Sequence, residues 1–364
     1  MQAITKGKSI TCHAWNSDGS KCALCPNSNV VLIVGKDATG AWKLEHQLKQ
    51  HDSVVTGIDW DRVHNRIVTC SQDRNAYVWH YDDAAKEWKP DLVILRINRA
   101  ATHVKWSPNG DKFAVASGAK LVSVCHFEED NDWWVSKHVK KHRSTVTRIA
   151  WHPNNQLLAT ASTDFKARIF NCAIREVDGK QIETAWGKKK PFDEPLCEFD
   201  CNGWVQGIAF SPSGNKLVFV GHDSTVSVAE CHPGAEPTLF TLKTKLLPMM
   251  DCMFLDETKV VAAGYDCAPY LFAQSGPSEW KLVKSLDEKK APAAPAATTS
   301  STRAAFNMFQ SKASKGTTDE SKLSTEVETK HQNTITDIEV YRRSETMVTE
   351  FTTSGLDGAI FWWK

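Results

Sequence analysis

The chain has 364 residues, of which 41% are hydrophobic and 24% charged, so it can form a sizeable core and is not disordered as a whole. Its 44 Lys and Arg balance 43 Asp and Glu to a formal net charge of +1, which argues against a protein that coats nucleic acid or an anionic membrane. The best apolar runs, Val30–Val34 and Leu92–Leu95, are far shorter than the roughly 18 residues of a membrane span, so we expect no membrane insertion. Residues 1–9 lack the apolar stretch of a secretory signal, and we therefore expect the eleven cysteines to be reduced thiols in the cytosol or nucleus.

A short strand-like pattern that ends in an aromatic or apolar anchor residue recurs seven times along the chain. Most anchors are about 45 residues apart, close to the length of one four-stranded propeller blade. Apolar residues alternate before each anchor, which predicts a β-strand, and turns with Pro and Gly or Asn follow in most copies. The pattern predicts an all-β fold, a seven-bladed β-propeller that forms a single domain over residues 1–364. The anchors are Trp15, Trp60, Trp106, Trp151, Phe210, Phe254 and Val340.

Two copies carry a His, a Thr, an Asp and a Trp at matching spacings. When buried, these four side chains can form one hydrogen-bonded chain that ties the strands of a blade together. Their spacing is typical of WD-repeat propellers, whereas the literal Trp60-Asp61 dipeptide lies at the wrong place in the repeat. In the fourth copy, Phe170 replaces the Trp. The two complete tetrads are His51, Thr69, Asp73 and Trp79 in the second copy and His331, Thr353, Asp357 and Trp363 in the seventh.

Two intervals between anchors are long and predict insertions. The shorter insertion includes residues 186–190 and should loop out before Gly203. The longer one, residues 287–330, is rich in Ala, Pro, Ser and Thr, and we expect most of it to be disordered. Within it, residues 302–314 combine helix formers with apolar residues on one face and predict a short helix before the last blade. The last copy has only three strands, and we expect the residues before Ser9 to supply the fourth.

The sequence offers no complete catalytic or cofactor motif. Gly7-Lys8-Ser9 resembles the end of a phosphate-binding loop but lacks the glycine five residues earlier. Cys22 and Cys25 have the spacing of metal ligands, but no second pair stands at a usual distance, so buried free thiols are the better interpretation. Neither Gly-x-Ser-x-Gly nor HExxH occurs, and no converging carboxylates are evident. We expect a protein that is not an enzyme and binds no cofactor or metal.

A basic segment, residues 137–143, follows Trp133 and Trp134. Such a segment can bind single-stranded nucleic acid, but the near-zero net charge argues against that partner. An acidic protein surface is the favoured target, and Lys140, Lys141 and Arg143 are its candidate contacts. The alternative is that the two tryptophans lie on an outer strand beside a solvated cationic loop.

Several longer strings resemble the WD-repeat subunits of the actin-related protein 2/3 complex. They are residues 70–79, 92–101, 129–134 and 164–170, and the similarity runs from about Cys12 to the end. The resemblance implies a non-enzymatic scaffold in a seven-subunit assembly that nucleates branched actin filaments, with the other subunits of that complex as partners. It implies a cytoplasmic location on the actin cytoskeleton, at the cell cortex, in actin patches or in lamellipodia, with the nucleus as a second location.

The long insertion is part of this resemblance. In the family, the inserted helix faces the mother filament and lies near the surface engaged by acidic nucleation-promoting factors. The implied contacts with actin or a partner are Arg303, Ala305, Phe306, Met308, Phe309 and Lys312. Two alternatives stay open: a helix that folds back on its own propeller, and a generic WD-repeat adaptor of another multiprotein complex.

Overall fold

The computed structural model describes residues 8–287 and 328–364. In these residues, antiparallel strands form seven sheets, six with four strands and one with three. Within each sheet, strands that follow one another along the chain lie side by side. The prediction of a seven-bladed β-propeller is therefore confirmed. Each anchor residue lies on the first strand of its blade.

The strands of the first four blades follow the chain in order. They are β1 (Cys12–Trp15), β2 (Lys21–Cys25), β3 (Val31–Lys36) and β4 (Trp42–Leu48); β5 (Val55–Asp61), β6 (Arg66–Ser71), β7 (Ala76–Asp82) and β8 (Glu87–Val93); β9 (Ala101–Trp106), β10 (Lys112–Ser117), β11 (Val122–Glu128) and β12 (Trp133–Val139); β13 (Val146–Trp151), β14 (Leu157–Ser162), β15 (Lys166–Asn171) and β16 (Pro195–Asp200).

The last three blades repeat the arrangement. They are β17 (Val205–Phe210), β18 (Lys216–Gly221), β19 (Thr225–Glu230) and β20 (Thr238–Lys243); β21 (Met249–Asp256), β22 (Lys259–Gly264), β23 (Tyr270–Gly276) and β24 (Glu279–Ser285); β25 (Ile335–Arg343), β26 (Val348–Gly355) and β27 (Ile360–Trp363). A 3₁₀ turn, Glu129–Asn131, precedes β12, and the helix α1 (Arg175–Asp178) lies between β15 and β16.

The core lies between the blades. Each first strand contacts the first strand of the next blade, and β25 contacts β1, which closes the ring. Seven clusters of buried apolar side chains fill the seams between neighbouring blades. At the closing seam, Trp15 of blade one packs with Tyr341 and Ile360 of blade seven. Burial at every seam therefore stabilises the whole ring rather than any single sheet.

A threonine at the start of the first strand, or directly before it in blade one, links each of five blades to the next. Its hydroxyl donates a hydrogen bond to a backbone carbonyl at the start of the following first strand. Blades five and six have Gln206 and Met250 at this position. The five bonds are Thr11 Oγ1 to Val55 O (3.2 Å), Thr56 Oγ1 to Ala101 O (2.8 Å), Thr102 Oγ1 to Val146 O (2.6 Å), Thr147 Oγ1 to Val205 O (2.6 Å) and Thr336 Oγ1 to Ile10 O (2.9 Å).

The first and last parts of the described chain meet at the closing seam. Ile10 N donates to Gly355 O at 3.1 Å, in addition to the bond that Ile10 O accepts from Thr336. Blade seven has three strands among the described residues. The fourth strand that we expect from the residues before Ser9 falls on residues 1–7, outside the described part of the chain.

The shorter insertion lies between β15 and β16 and packs on the propeller instead of looping out entirely. Its Trp186 is 2% exposed, and the indole Nε1 donates to Gly214 O at 2.6 Å. Asp178, in α1, forms a buried ion pair with Lys112 of β10. The insertion is therefore fixed to blades three and five by both apolar packing and charge.

The ends of the longer insertion are held together. Lys330 N donates to Asp287 Oδ2 at 2.5 Å, and the Lys330 ammonium lies 4.0 Å from the centroid of the Trp363 ring. The expected helix at residues 302–314 lies outside the described residues. What the structure does describe is its attachment point, the connection between blades six and seven.

In an antiparallel blade of this topology, the connections between blades share one face with the turns between second and third strands. We call it the upper face. The longer insertion leaves from it, and residues 140–143 lie on it, between β12 and β13.

Candidate interaction surfaces

The second blade brings its four tetrad residues into one hydrogen-bonded chain. His51 Nδ1 lies 2.7 Å from Asp73 Oδ2, and His51 Nε2 lies 2.8 Å from Thr69 Oγ1. Trp79 Nε1 donates to the same Thr69 hydroxyl at 3.0 Å. Asp73 also accepts the Asp52 backbone N–H at 3.0 Å, so the chain runs from the upper face to the third strand. Burial lowers the pKa of His51, against the raising effect of Asp73.

The seventh blade repeats this geometry. His331 Nδ1 lies 2.9 Å from Asp357 Oδ2, His331 Nε2 lies 2.8 Å from Thr353 Oγ1, and Trp363 Nε1 donates to Thr353 at 2.8 Å. Both tetrads tie the strands of one blade together, and their histidines are buried and fully engaged. This arrangement fits a structural role rather than that of a catalytic base.

The fourth blade keeps part of the tetrad. His142 Nε2 lies 2.9 Å from Thr160 Oγ1, but Asp164 is bound by the Arg168 guanidinium at 2.9 Å, and His142 Nδ1 has no partner. Burial and the nearby Arg168 charge lower the pKa of His142 to about 3, so the ring is neutral. Phe170, at the Trp position, has no N–H for Thr160.

The basic patch, Lys140, Lys141 and Arg143, is exposed on the upper face. Its backbone is anchored, since Lys140 N donates to Asp193 Oδ1 at 2.7 Å. The Lys141 ammonium lies 3.4 Å from Glu194 Oε1, with both side chains about half exposed. Trp133 and Trp134 belong to β12, the outer strand of blade three. An acidic partner would therefore have to compete with Glu194 for Lys141.

The upper face also carries an exposed aromatic cluster that was not predicted from the sequence. Trp204 is 48% exposed, and its ring centroid lies 5.4 Å from that of His222. The His222 ring in turn lies 5.8 Å from Tyr265, which is 39% exposed. Leu247, 53% exposed, precedes the first strand of blade six on the same face. We call Trp204, His222, Tyr265 and Leu247 the aromatic cluster.

The first strands also bring four carboxylates and two basic groups together in the central channel. The expectation that no carboxylates converge was wrong, because they come from three separate copies of the repeat, two of them from the seventh, and only the closed ring brings them together. Arg148 Nη1 lies 2.8 Å from Asp337 Oδ1, and Lys105 bridges two further carboxylates. The network consists of Asp59, Lys105, Arg148, Asp251, Asp337 and Glu339.

Three of these carboxylates also accept a backbone N–H from the next blade. Asp59 Oδ2 accepts from Trp106 N at 2.7 Å and Asp251 Oδ2 from Ile338 N at 2.9 Å. Asp337 Oδ2 accepts from His13 N at 3.1 Å across the closing seam. Within the described residues, no group of three or more His, Cys, Asp or Glu is arranged to hold a metal ion. The channel carboxylates are thus engaged in linking blades.

The channel shifts the pKa values of Glu339 and Asp337 in opposite directions. Burial raises the pKa of Glu339 to about 7, against the lowering effect of Lys105. For Asp337, burial alone would raise the pKa, but the His13 hydrogen bond and the Arg148 charge hold it well below its usual range. Glu339 is therefore the member whose charge changes near neutral pH.

The implied actin contacts at residues 303–312 lie outside the described residues, so the structure does not place them. No helix in the described ranges is long and apolar enough to cross a membrane. All eleven cysteines, which lie in these ranges, are free thiols.

Comparison with known proteins identifies the family. The pattern described as "WD domain, G-beta repeat" matches residues 42–80, 133–171 and 193–229. The chain is 48% identical over 358 residues to actin-related protein 2/3 complex subunit 1A-B of Xenopus laevis, a match that covers 97% of this chain and 93% of the relative. The chain belongs to the actin-related protein 2/3 complex subunit 1 family.

Other members of the subunit 1 family match over similar lengths. Subunit 1B of Arabidopsis thaliana is 43% identical over 98% of this chain and 94% of its own length. Subunit 1 of Saccharomyces cerevisiae is 35% identical over 96% of this chain and 93% of its own length. Each WD match begins near the outer strand of one blade and continues through the third strand of the next.

Proposed function

We propose that this chain is the WD-repeat scaffold subunit of an actin-related protein 2/3 complex and acts without catalytic chemistry of its own. The observation that carries the proposal is the near full-length identity to relatives named as subunit 1 of that complex. The buried, internally satisfied tetrads and the paired channel carboxylates support a rigid frame rather than a reaction centre. The proposed location is the cytoplasmic actin cytoskeleton.

The upper face supports this role because it carries three features that can meet partners. These features are the aromatic cluster, the basic patch and the attachment of the longer insertion. An exposed group of large aromatic side chains on a rigid surface is typical of a protein-protein contact. We propose that another subunit of the complex covers the aromatic cluster.

Affinity purification of the tagged full chain from its own cells, followed by mass spectrometry, tests complex membership. Actin-related proteins should be recovered in near-equal amounts with the chain. Trp204→Ala should reduce this recovery, whereas Trp133→Ala, which removes a 46% exposed tryptophan from an outer strand, should not. Recovery of an unrelated set of proteins with the unmodified chain would favour the generic WD-repeat adaptor.

We further propose that the complex nucleates branched filaments and that residues 302–314 contact the mother filament. Phe306 and Phe309 are three residues apart, so on a helix both could enter one groove of a partner. Arg303 and Lys312 could pair with acidic residues of actin. The bond between Lys330 N and Asp287 supports this proposal, because it fixes the base of the segment on the upper face.

The basic patch is proposed to attract acidic segments of nucleation-promoting factors. Replacing Lys140, Lys141 and Arg143 by Glu should weaken activator binding most at low salt, because exposed charges are screened at higher ionic strength. Complex assembly should be retained. If the activator affinity at low salt were unchanged, the basic patch would be a solvated loop without a role in activator binding.

A further inference from the structure

Two cysteines on consecutive strands lie directly opposite each other in the first blade. Cys12 of β1 pairs with Cys25 of β2 in the antiparallel register. Both side chains belong to the same buried cluster between blades one and two, so they lie on the same side of the sheet. Directly opposite residues have Cα atoms about 4.5–5.5 Å apart, within the range of about 4.4–6.8 Å that a disulfide requires.

Cys22, although closer to Cys25 in sequence, faces a different seam. Cys22 and Cys25 are three residues apart, but Cys22 is opposite Trp15 and belongs to the cluster between blades seven and one. On a strand, residues three apart point to opposite sides of the sheet. Cys25 therefore has Cys12, and not Cys22, as its neighbour.

The two thiols differ in acidity. A hydrogen bond from the Cys12 thiol lowers the pKa of Cys25 to about 6, while burial raises the pKa of Cys12 well above its usual value. At neutral pH, Cys25 can therefore act as the attacking thiolate, with Cys12 as the resolving thiol. By contrast, burial raises the pKa of Cys70 to about 12, which leaves that isolated thiol protonated and inert.

The pair lies at the open end of the β1–β2 hairpin, away from its turn. Cys12 and Cys25 form the last pair of the β1–β2 ladder. One further bond, from Thr11 N to Cys25 O at 3.1 Å, follows this pair, and Pro26 has no N–H to continue the ladder. Both side chains are buried in the folded state, with 5% of Cys12 and 0% of Cys25 exposed. Fraying at the end of the ladder would admit a small oxidant without unfolding the ring.

We propose that Cys12 and Cys25 form a reversible redox site that peroxide converts to an intrachain disulfide. The Cys25 thiolate attacks one peroxide oxygen, the O–O bond breaks, and protonation of the leaving hydroxide gives water and a Cys25 sulfenic acid. The Cys12 sulfur then attacks the Cys25 sulfur, the S–O bond breaks, and a second water leaves with the Cys12 proton. Overall, two thiols lose two electrons and two protons, and one hydrogen peroxide is reduced to two waters.

The disulfide would join two strands next to the seams on either side of blade one. Thr11, beside Cys12, donates to Val55 O of blade two at 3.2 Å, and Ile10 is bonded to blade seven. Oxidation would thus restrict the part of β1 that links its two neighbouring blades. We expect the oxidised chain to unfold at a higher temperature than the reduced chain, because the crosslink restricts the unfolded state.

Peptide mapping of the full chain tests the proposal. The folded protein is treated with limiting hydrogen peroxide, free thiols are alkylated under denaturing conditions, and the chain is digested with trypsin. Cleavage after Lys8, Lys21 and Lys36 places Cys12 on residues 9–21 and both Cys22 and Cys25 on residues 22–36. The expected product is a disulfide between these two peptides that dithiothreitol removes, with Cys70 still alkylated.

Two variants identify the sulfur that pairs with Cys12. Cys22→Ala should keep the linked peptides, and Cys25→Ala should lose them. A trivalent arsenical such as phenylarsine oxide, which bridges adjacent thiols, should bind the unmodified chain and Cys22→Ala but not Cys25→Ala. A link that persists in Cys25→Ala, or unlinked peptides at a peroxide dose that already oxidises Cys70, would overturn the proposal.

Discussion

At the scale of single residues, the tetrads show how one hydroxyl can organise a blade. Thr69 Oγ1 contacts both the His51 ring and the Trp79 indole, whereas Thr160 Oγ1 contacts only His142 because Phe170 replaces the tryptophan. The number of buried groups that depend on the hydroxyl therefore differs between two otherwise similar blades. This difference allows a matched test.

Thr69→Val should destabilise the protein by on the order of 2 kcal/mol, because it leaves two buried polar groups without a partner. Thr160→Val should cost about half as much, since only one such group is stranded. Urea unfolding at neutral pH measures the loss of unfolding free energy in both variants. Equal losses for the two variants would show that the shared hydroxyl does not hold the second blade together.

Glu339 makes the stability of the protein depend on pH. Its pKa is raised in the fold from the usual 4.5 to about 7, so between these values the unfolded chain ionises first. The contribution of Glu339 to stability is fully present below about pH 4.5 and is lost as the pH rises to about 7. Besides burial, the Lys105 charge lowers this pKa, whereas the like charges of Asp337 and Asp59 raise it.

Unfolding free energies at pH 5 and pH 8 should therefore differ between the unmodified chain and Glu339→Gln. From pH 5 to pH 8, the unmodified chain should lose on the order of 1–2 kcal/mol relative to the variant. Glu345→Gln, an exposed change in the same blade, should follow the unmodified chain. If the unfolding free energies of the unmodified chain and Glu339→Gln differed by the same amount at pH 5 and pH 8, the raised pKa would be contradicted.

At the scale of elements, the threonine hydroxyls between blades act on the first strands. Thr147 Oγ1 bonds to Val205 O across the seam between blades four and five. Valine has the same shape but no hydroxyl, so Thr147→Val should cost about 1 kcal/mol and open that seam more often.

Hydrogen exchange of the folded protein measures this opening. Amides of β13 and β17 should exchange faster in Thr147→Val, while those of the distant first blade should not change. Thr349→Val, at an exposed hairpin of blade seven, is the matched control. Uniformly faster exchange in all seven blades would indicate a global loss of stability instead of a local seam.

At the scale of the whole molecule, the repeat and the tetrads could be predicted because they depend on short, regular spacings. The channel network could not, since Asp59 and Asp251 stand alone in their own copies, and they meet Asp337 and Glu339 of the seventh copy only when the ring closes. The aromatic cluster was missed for another reason: Trp186 and Trp204 look alike in sequence, yet one is 2% and the other 48% exposed. Cys22 and Cys25 are the buried free thiols that the sequence indicated, but the proximity of Cys12 to Cys25 depends on strand register, which spacing along the chain does not reveal.

The central claim is that a rigid propeller carries residues 302–314 to an actin filament. Fluorescence microscopy of branching by purified complexes, with the unmodified chain or with these residues deleted, tests it most directly. The account predicts unchanged unfolding temperature and complex assembly, because the bond between Asp287 and Lys330 still closes the base of the segment, together with fewer branches per length of mother filament. Branching at the unmodified rate, or an unfolded propeller after the deletion, would contradict it.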